Sequence, residues 1–202
     1  MKKIIIRLFF ISFCLIGFSQ NDSTTYYKKG VYNSFADFKN KIPNKSIEFT
    51  TYQPKNSLSA GFQLRNKKNK RIKKAFAVSD GKTTFIKVKE MHKIVRKTQR
   101  VGTPLDSGWD FISSLLESKE IIYFENYFVS LGTQIFGGKS YLTGIIYNVK
   151  KESFMVLNSN EKVYQFINEF NSDLKNKYDF SAKRVDLIKV RALVYDIINQ
   201  QK

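Results

Sequence analysis

The chain predicts an α+β protein: an antiparallel β-sheet, as a meander or a partly closed barrel, with one short N-terminal helix and two C-terminal helices. Three observations predict it. Apolar residues recur with period two from Ser46 to about Val101, β-branched and aromatic runs return between Ile121 and Leu157, and the last forty or so residues switch to a helical period. Strands gathered before helices point to segregated layers rather than alternating β–α units.

Ser34 stands as a helix N-cap with Asp37 three residues on and apolar residues at Phe35, Phe38 and Ile42, and Pro43 bounds the segment. Strands are then expected around Ile47–Thr51, Ala60–Leu64, Ile72–Val78 and Thr84–Val88. Asn66 to Lys70 has turn composition, and Asp80-Gly81 is a hairpin signal because both residues tolerate positive φ. Lys74 falls on the apolar face of its strand and weakens that register. Thr103-Pro104 to Gly108 reads as a break. Trp109 to Ser118 is expected as a short amphipathic helix using Trp109, Ile112, Leu115 and Leu116. Strands follow at Ile121–Ser130, Tyr141–Val149 and Ser153–Leu157. Two helices close the chain, at about Asn160–Tyr178 and, begun by Ser181, about Ala182–Asn199.

The first twenty residues read as an export signal. Lys2, Lys3 and Arg7 form a basic start, Leu8 to Phe18 an apolar run, and Gly17 and Ser19 a small-residue site for cleavage before Gln20. The eleven residues of that run as a helix cover only ~16 Å of a ~30 Å hydrocarbon core, too little for a membrane anchor. Residues 1–19 are thus expected to leave as a signal peptide, 20–27 to form a flexible lead, and 28–202 to form a single domain. Cys14 would depart with the signal, leaving no thiol for disulfides or thiolate metal sites. Lipidation at Cys14 fits badly, because bulky Phe13 precedes it. The expected product is periplasmic or secreted, without a transmembrane anchor.

Removing the three basic residues of the signal lowers the net charge from +18 to +15. Arg65 to Arg100 holds fourteen basic residues against Asp80 and Glu90, and so carries +12 of it. The candidate anion-binding residues are Arg65, Lys67, Lys68, Lys70, Arg71, Lys73, Lys87, Lys89, Lys93 and Arg96. Clustered charge of one sign attracts anions at long range, so the expected partner is an anionic envelope polymer or an acidic protein. The competing reading is a lysine-rich face that keeps edge strands apart. Nucleic acid is disfavoured: Phe76 and Phe85 are the only aromatics among these charges, too few for base stacking.

Catalytic patterns are weak, and no cofactor or metal is expected. Gly132 to Ser140 imitates a phosphate loop but is one residue too long, and a strand follows where a helix is needed. Gly81-Lys82-Thr83 lacks the first glycine of that motif. His92 is the only histidine, which excludes a two-histidine metal site, and it reads as a surface or strand residue. Ser159 and Lys162 match Ser-x-x-Lys without the companion motifs of acylating enzymes, and a helix-capping turn accounts for them as well. An envelope hydrolase would need Asp106, Asp110, Glu117 and Glu120 to converge. A purely structural subunit would instead expose a large apolar patch.

Gly30-x-Tyr32-x-Ser34-Phe35-x-Asp37-Phe38-x-Asn40, with Pro43 after it, resembles the opening motif of small exported Bacteroidota proteins of unknown function. The Asp80-Gly81 turn and helical C-terminus are similar too, although Ala75 to Val78 replaces the usual approach to that turn. The resemblance implies an exported domain and supplies no catalytic residues.

Overall fold

A computed structural model describes residues 26–53, 61–105, 110–129, 139–182 and 184–201. The signal expected at 1–19 with its Cys14, most of the expected lead, Asp106, Trp109 and Gly132 to Gly138 lie outside the described residues.

The opening motif is explained by folding. Gly30 begins β1 (Gly30–Tyr32) where any Cβ would sit 2.6 Å from Pro43 Cβ and 2.8 Å from the Lys45 carbonyl oxygen. Tyr32 is fully buried and its hydroxyl donates to Lys28 O at 2.8 Å. Ser34 caps α1 (Phe35–Lys39) in a complete capping box: its Oγ accepts from Asp37 N at 3.1 Å, and Asp37 Oδ2 accepts from Ser34 N at 2.8 Å. Phe38 drops into the core, and Asn40 is the C-cap. Tyr27, the last residue of the expected lead, belongs to the same cluster, fully buried and stacked on Phe38 at 4.3 Å.

The main sheet has eight strands in the order β1–β4–β5–β7–β8–β9–β10, with β6 also paired to β8. Its members after β1 are β4 (Ala77–Ser79), β5 (Thr84–Lys87), β6 (Thr103–Pro104), β7 (Phe111–Glu117), β8 (Ile121–Val129), β9 (Ser140–Asn148) and β10 (Ser153–Leu157). All pairings are antiparallel, β7 to β10 form a meander, and the sheet stays open rather than closing as a barrel. A separate ribbon pairs β2 (Phe49–Tyr52) with β3 (Gln63–Asn66). The Asp80-Gly81 hairpin forms as expected. Gly81 has φ +89°, and Asp80 Oδ1 accepts from Lys82 N and Thr83 N at 2.7 Å each.

Three expectations about the elements are corrected. The expected helix at Trp109–Ser118 is overturned over its described part: Phe111–Glu117 is the strand β7, and a bulge between Ser114 and Leu116 leaves Leu115 as the extra residue. Phe111 and Ile112 pack on opposite faces of the sheet, and the bulge shifts the phase, so the apolar spacing imitates a helix. The strand pattern expected to run on toward Val101 stops at Lys87, where α2 (Val88–Val95) begins without a break. Val88, Met91 and Val95 form its buried stripe. Of the C-terminal helices, the first is α3 (Asn160–Phe170) followed by a 3₁₀ turn (Ser172–Asn176). The second, α4 (Leu187–Gln200), is capped by Asp186 rather than begun by Ser181.

Alternation along the strands gives the sheet two apolar faces. Tyr32, Ile86, Phe124, Ile145 and Phe154 face one way, beneath α1 and α2. On the other face, Ile121, Tyr123, Ile146 and Leu157 meet α3 and α4, whereas Val31, Val78, Phe85 and Phe111 meet Leu64 of the ribbon. One ion pair pins α4 to the sheet. Glu125 of β8, 7% exposed at its side chain, accepts from Arg191 Nε at 2.7 Å and Nη2 at 2.6 Å, and its Oε1 also accepts from Tyr123 OH at 2.7 Å.

Candidate anion-binding site

The charge of the 65–100 region divides into separate places. Arg65, Lys67, Lys68, Lys70 and Arg71 sit on the ribbon and its turn, where Asn66 Oδ1 accepts from Lys68 N and Lys70 N at 3.0 Å each. Arg65 lies over the Tyr52 ring at 4.1 Å and donates to Asn69 Oδ1 at 3.0 Å, and Lys67 pairs with Glu48 at 2.9 Å. Lys89 is exposed on α2 and Arg96 is its C-cap. Lys73, Lys87 and Lys93 converge elsewhere.

Those three line a cavity of about 780 Å³ together with Lys45, Lys74 and Lys97. Each is placed by a different local constraint. Val31 N donates to Lys45 O at 2.9 Å, which draws the loop after α1 against β1. Lys73 and Lys74 lie on the approach to β4, held by Phe76 N donating to Tyr32 O at 2.8 Å. Lys87 ends β5. Lys93 and Lys97, four residues apart, share one side of α2 and its C-terminal turn. The floor is apolar, with Phe35 packed on Phe76 at 5.2 Å and Ile94 beside them.

Six lysines and one carboxylate, Glu90, line the cavity, and Lys93 bridges that carboxylate at 3.0 Å. Lys87 is 5% exposed and donates to Lys73 O at 2.6 Å. Burial holds its ammonium below the usual lysine range, and Lys93 and Lys89 lower it further against the pull of Glu90. The cavity therefore presents an array of point charges around a partly desolvated one, which suits spread anionic groups more than one bidentate carboxylate.

No protein-family model, curated protein or solved structure matches this chain.

The other candidates resolve locally. His92 lies on α2, not on a strand, and its Nε2 donates to Gly102 O at 3.0 Å. Burial, with a smaller contribution from Arg96, depresses its basicity against the lift from that bond. Asp110 and Glu117 stand at opposite ends of β7, which puts them roughly 20 Å apart at ~3.3 Å per residue, too far to share a scissile bond. Glu117 accepts from Ser114 Oγ and from Thr84 N at 2.7 Å, and Glu120 accepts from Gln201 at 3.0 Å. Ser159 caps α3 by accepting from Lys162 N at 3.3 Å, while Lys162 Nζ donates to Gln165 at 3.0 Å. Gly81-Lys82-Thr83 forms the β4–β5 turn, and Ser140 opens β9. Among the described residues no group of His, Cys, Asp and Glu is arranged to hold a metal, and no helix is long and apolar enough to cross a membrane.

Sequence reasoning missed Lys45, which lies twenty residues before the basic region and arrives through its bridge to Val31. No signal in the chain marks that approach. Lys74 and Lys97 were legible as charge but not as partners.

Proposed function

We propose that this chain is an exported cell-envelope module that binds anionic envelope ligands, such as phosphate-bearing lipopolysaccharide or acidic glycan, in the lysine cavity. One observation carries the reading: six lysines from distant parts of the chain line one cavity, and its single carboxylate is already bridged. Export rests on the N-terminal signal pattern. Solvated lysines scattered for solubility would have no reason to gather at one cavity, whereas gathered ones raise the local positive potential that draws an anion in. The reading assigns no catalytic residue and no cofactor.

The test is a titration of the full chain with lipopolysaccharide at several salt concentrations. Binding is expected at low salt and should weaken about tenfold or more between ~50 and ~200 mM salt as counterion release loses its drive. Changing Lys73, Lys74, Lys93 and Lys97 together to Gln should abolish it. The same treatment of Lys67, Lys68 and Lys70 at the ribbon turn should leave most of it. No binding at low salt, or equal loss from both variants, would overturn the assignment to the cavity. Fractionation of native cells tests export, and recovery in the cytoplasm would reject it.

A further inference from the structure

A second concavity lies over the middle of the sheet, in the gap between its two covers. Its floor is β7, β8 and β9, one wall is Phe62 beside the ribbon, and the other is α4. It encloses about 750 Å³, within the ~300–1,000 Å³ typical of small-molecule sites. The bulge in β7 sets Leu115 here, and Leu115 and Tyr195 of α4 each remain 50% exposed although both are large and apolar. Among the described residues the groove holds one ion pair, Glu125 with Arg191.

From these groups we propose that the groove binds a single-chain carboxylate amphiphile of the fatty-acid kind. Leu115, Leu142, Phe62 and Tyr195 hold the chain, and the outer edge of the Arg191 guanidinium receives the carboxylate. Glu125 engages only Nε and one N–H of Nη2, and its Oε1 also accepts from Tyr123 OH. A guanidinium carries five N–H donors, so a planar pair on Nη1 and Nη2 stays available for a bidentate acceptor. Donor geometry, not net charge, selects the head group. Glu125 offsets the single charge of Arg191, so a phosphate dianion would be repelled by Glu125 about twice as strongly as a carboxylate, which needs only the two outward donors. The site is independent of the lysine cavity, which lies beneath α1 and α2 on the opposite face.

The experiment is displacement of a fluorescent long-chain carboxylate from the full chain by palmitate, by the alcohol of equal length and by acetate. Palmitate should displace the probe, the alcohol should do so at least about tenfold more weakly for want of a charge-assisted bond, and acetate should not. Leu115→Glu puts a charge on an exposed position in the groove, so it should fold with an unchanged far-UV spectrum and lose the probe. Arg191→Lys, which keeps the charge but not the fork, should weaken palmitate several-fold and the alcohol little. Equal displacement by alcohol and palmitate would overturn the role of Arg191. Failure of palmitate to displace, retention of the probe by folded Leu115→Glu, or a dimer of this chain that occludes the groove would overturn the site.

Discussion

Replacing Arg191 by Met keeps an aliphatic stem against the sheet and removes both charge-assisted donors from Glu125. That carboxylate is 7% exposed at its side chain and would be left with Tyr123 OH alone. Breaking a buried pair in this way costs ~3–5 kcal/mol. The Arg191 side chain is itself 50% exposed, so water enters where the guanidinium stood and repays part of the loss. We expect about 2–3 kcal/mol, which for a domain of this size is a fall of about 5–10 °C in Tm. Glu125→Gln keeps an acceptor for the guanidinium and should cost about 1–2 kcal/mol. The double variant no longer strands a charge, so its loss should fall about 1–2 kcal/mol short of the sum of the singles. Urea unfolding of all four proteins at neutral pH, followed by circular dichroism, measures the cycle. An Arg191→Met loss under about 0.5 kcal/mol, or strictly additive singles, would refute the claim that this pair pins α4 to the sheet.

Three further outcomes are expected. Gly102→Ala should destabilise by several kcal/mol or prevent folding, because its Cβ would lie 2.1 Å from the Val129 carbonyl oxygen, a backbone atom that cannot rotate away; a melting temperature equal to the parent's would contradict this. Burial pushes the Glu117 carboxyl above the usual carboxylate range, outweighing its bonds from Ser114 and Thr84. Over the interval from the unfolded value up to the raised one the folded state binds more protons, so stability falls as pH rises through it. Glu117→Gln should flatten that part of the stability–pH curve, and an unchanged slope would count against the shift. Ser34→Ala removes one half of the capping box and should cost about 1 kcal/mol in equilibrium unfolding; a gain in stability would be inconsistent with the cap.

Features governed by adjacent residues were legible in the chain. Ser34 with Asp37, and Asp80 with Gly81, form the cap and turn expected of them because each is closed by hydrogen bonds across two or three residues. The class and most strands followed from period alone. The errors arose where tertiary packing sets the period. β7 is buried on both faces only at its start, at Phe111 and Ile112, and then carries a bulge, so Ile112, Leu115 and Leu116 fall at helical spacing on a strand. α2 starts directly from β5 with Lys87 at its N-cap, which makes no side-chain cap bond, so nothing in the sequence announces the change. Asp186, accepting from Ile188 N at 2.9 Å, is the cap that Ser181 was expected to supply five residues earlier. The basic cluster was legible as composition. Its division, and the arrival of Lys45, depend on pairing across the fold.

The strand order of the main sheet has a kinetic meaning. Apart from β6, neighbours climb in chain order from β1 to β10, so no strand must be threaded between two that have already paired. The β8–β9 hairpin, matched over nine residue pairs, is the longest local pairing and a natural nucleus. The sheet can then widen by accretion at either margin, with β10 joining on one side and β7, β5, β4 and β1 on the other. Until β7 and β5 arrive, the flank of β8 is an open edge able to pair with another chain, and that interval is when this protein is most exposed to misassembly.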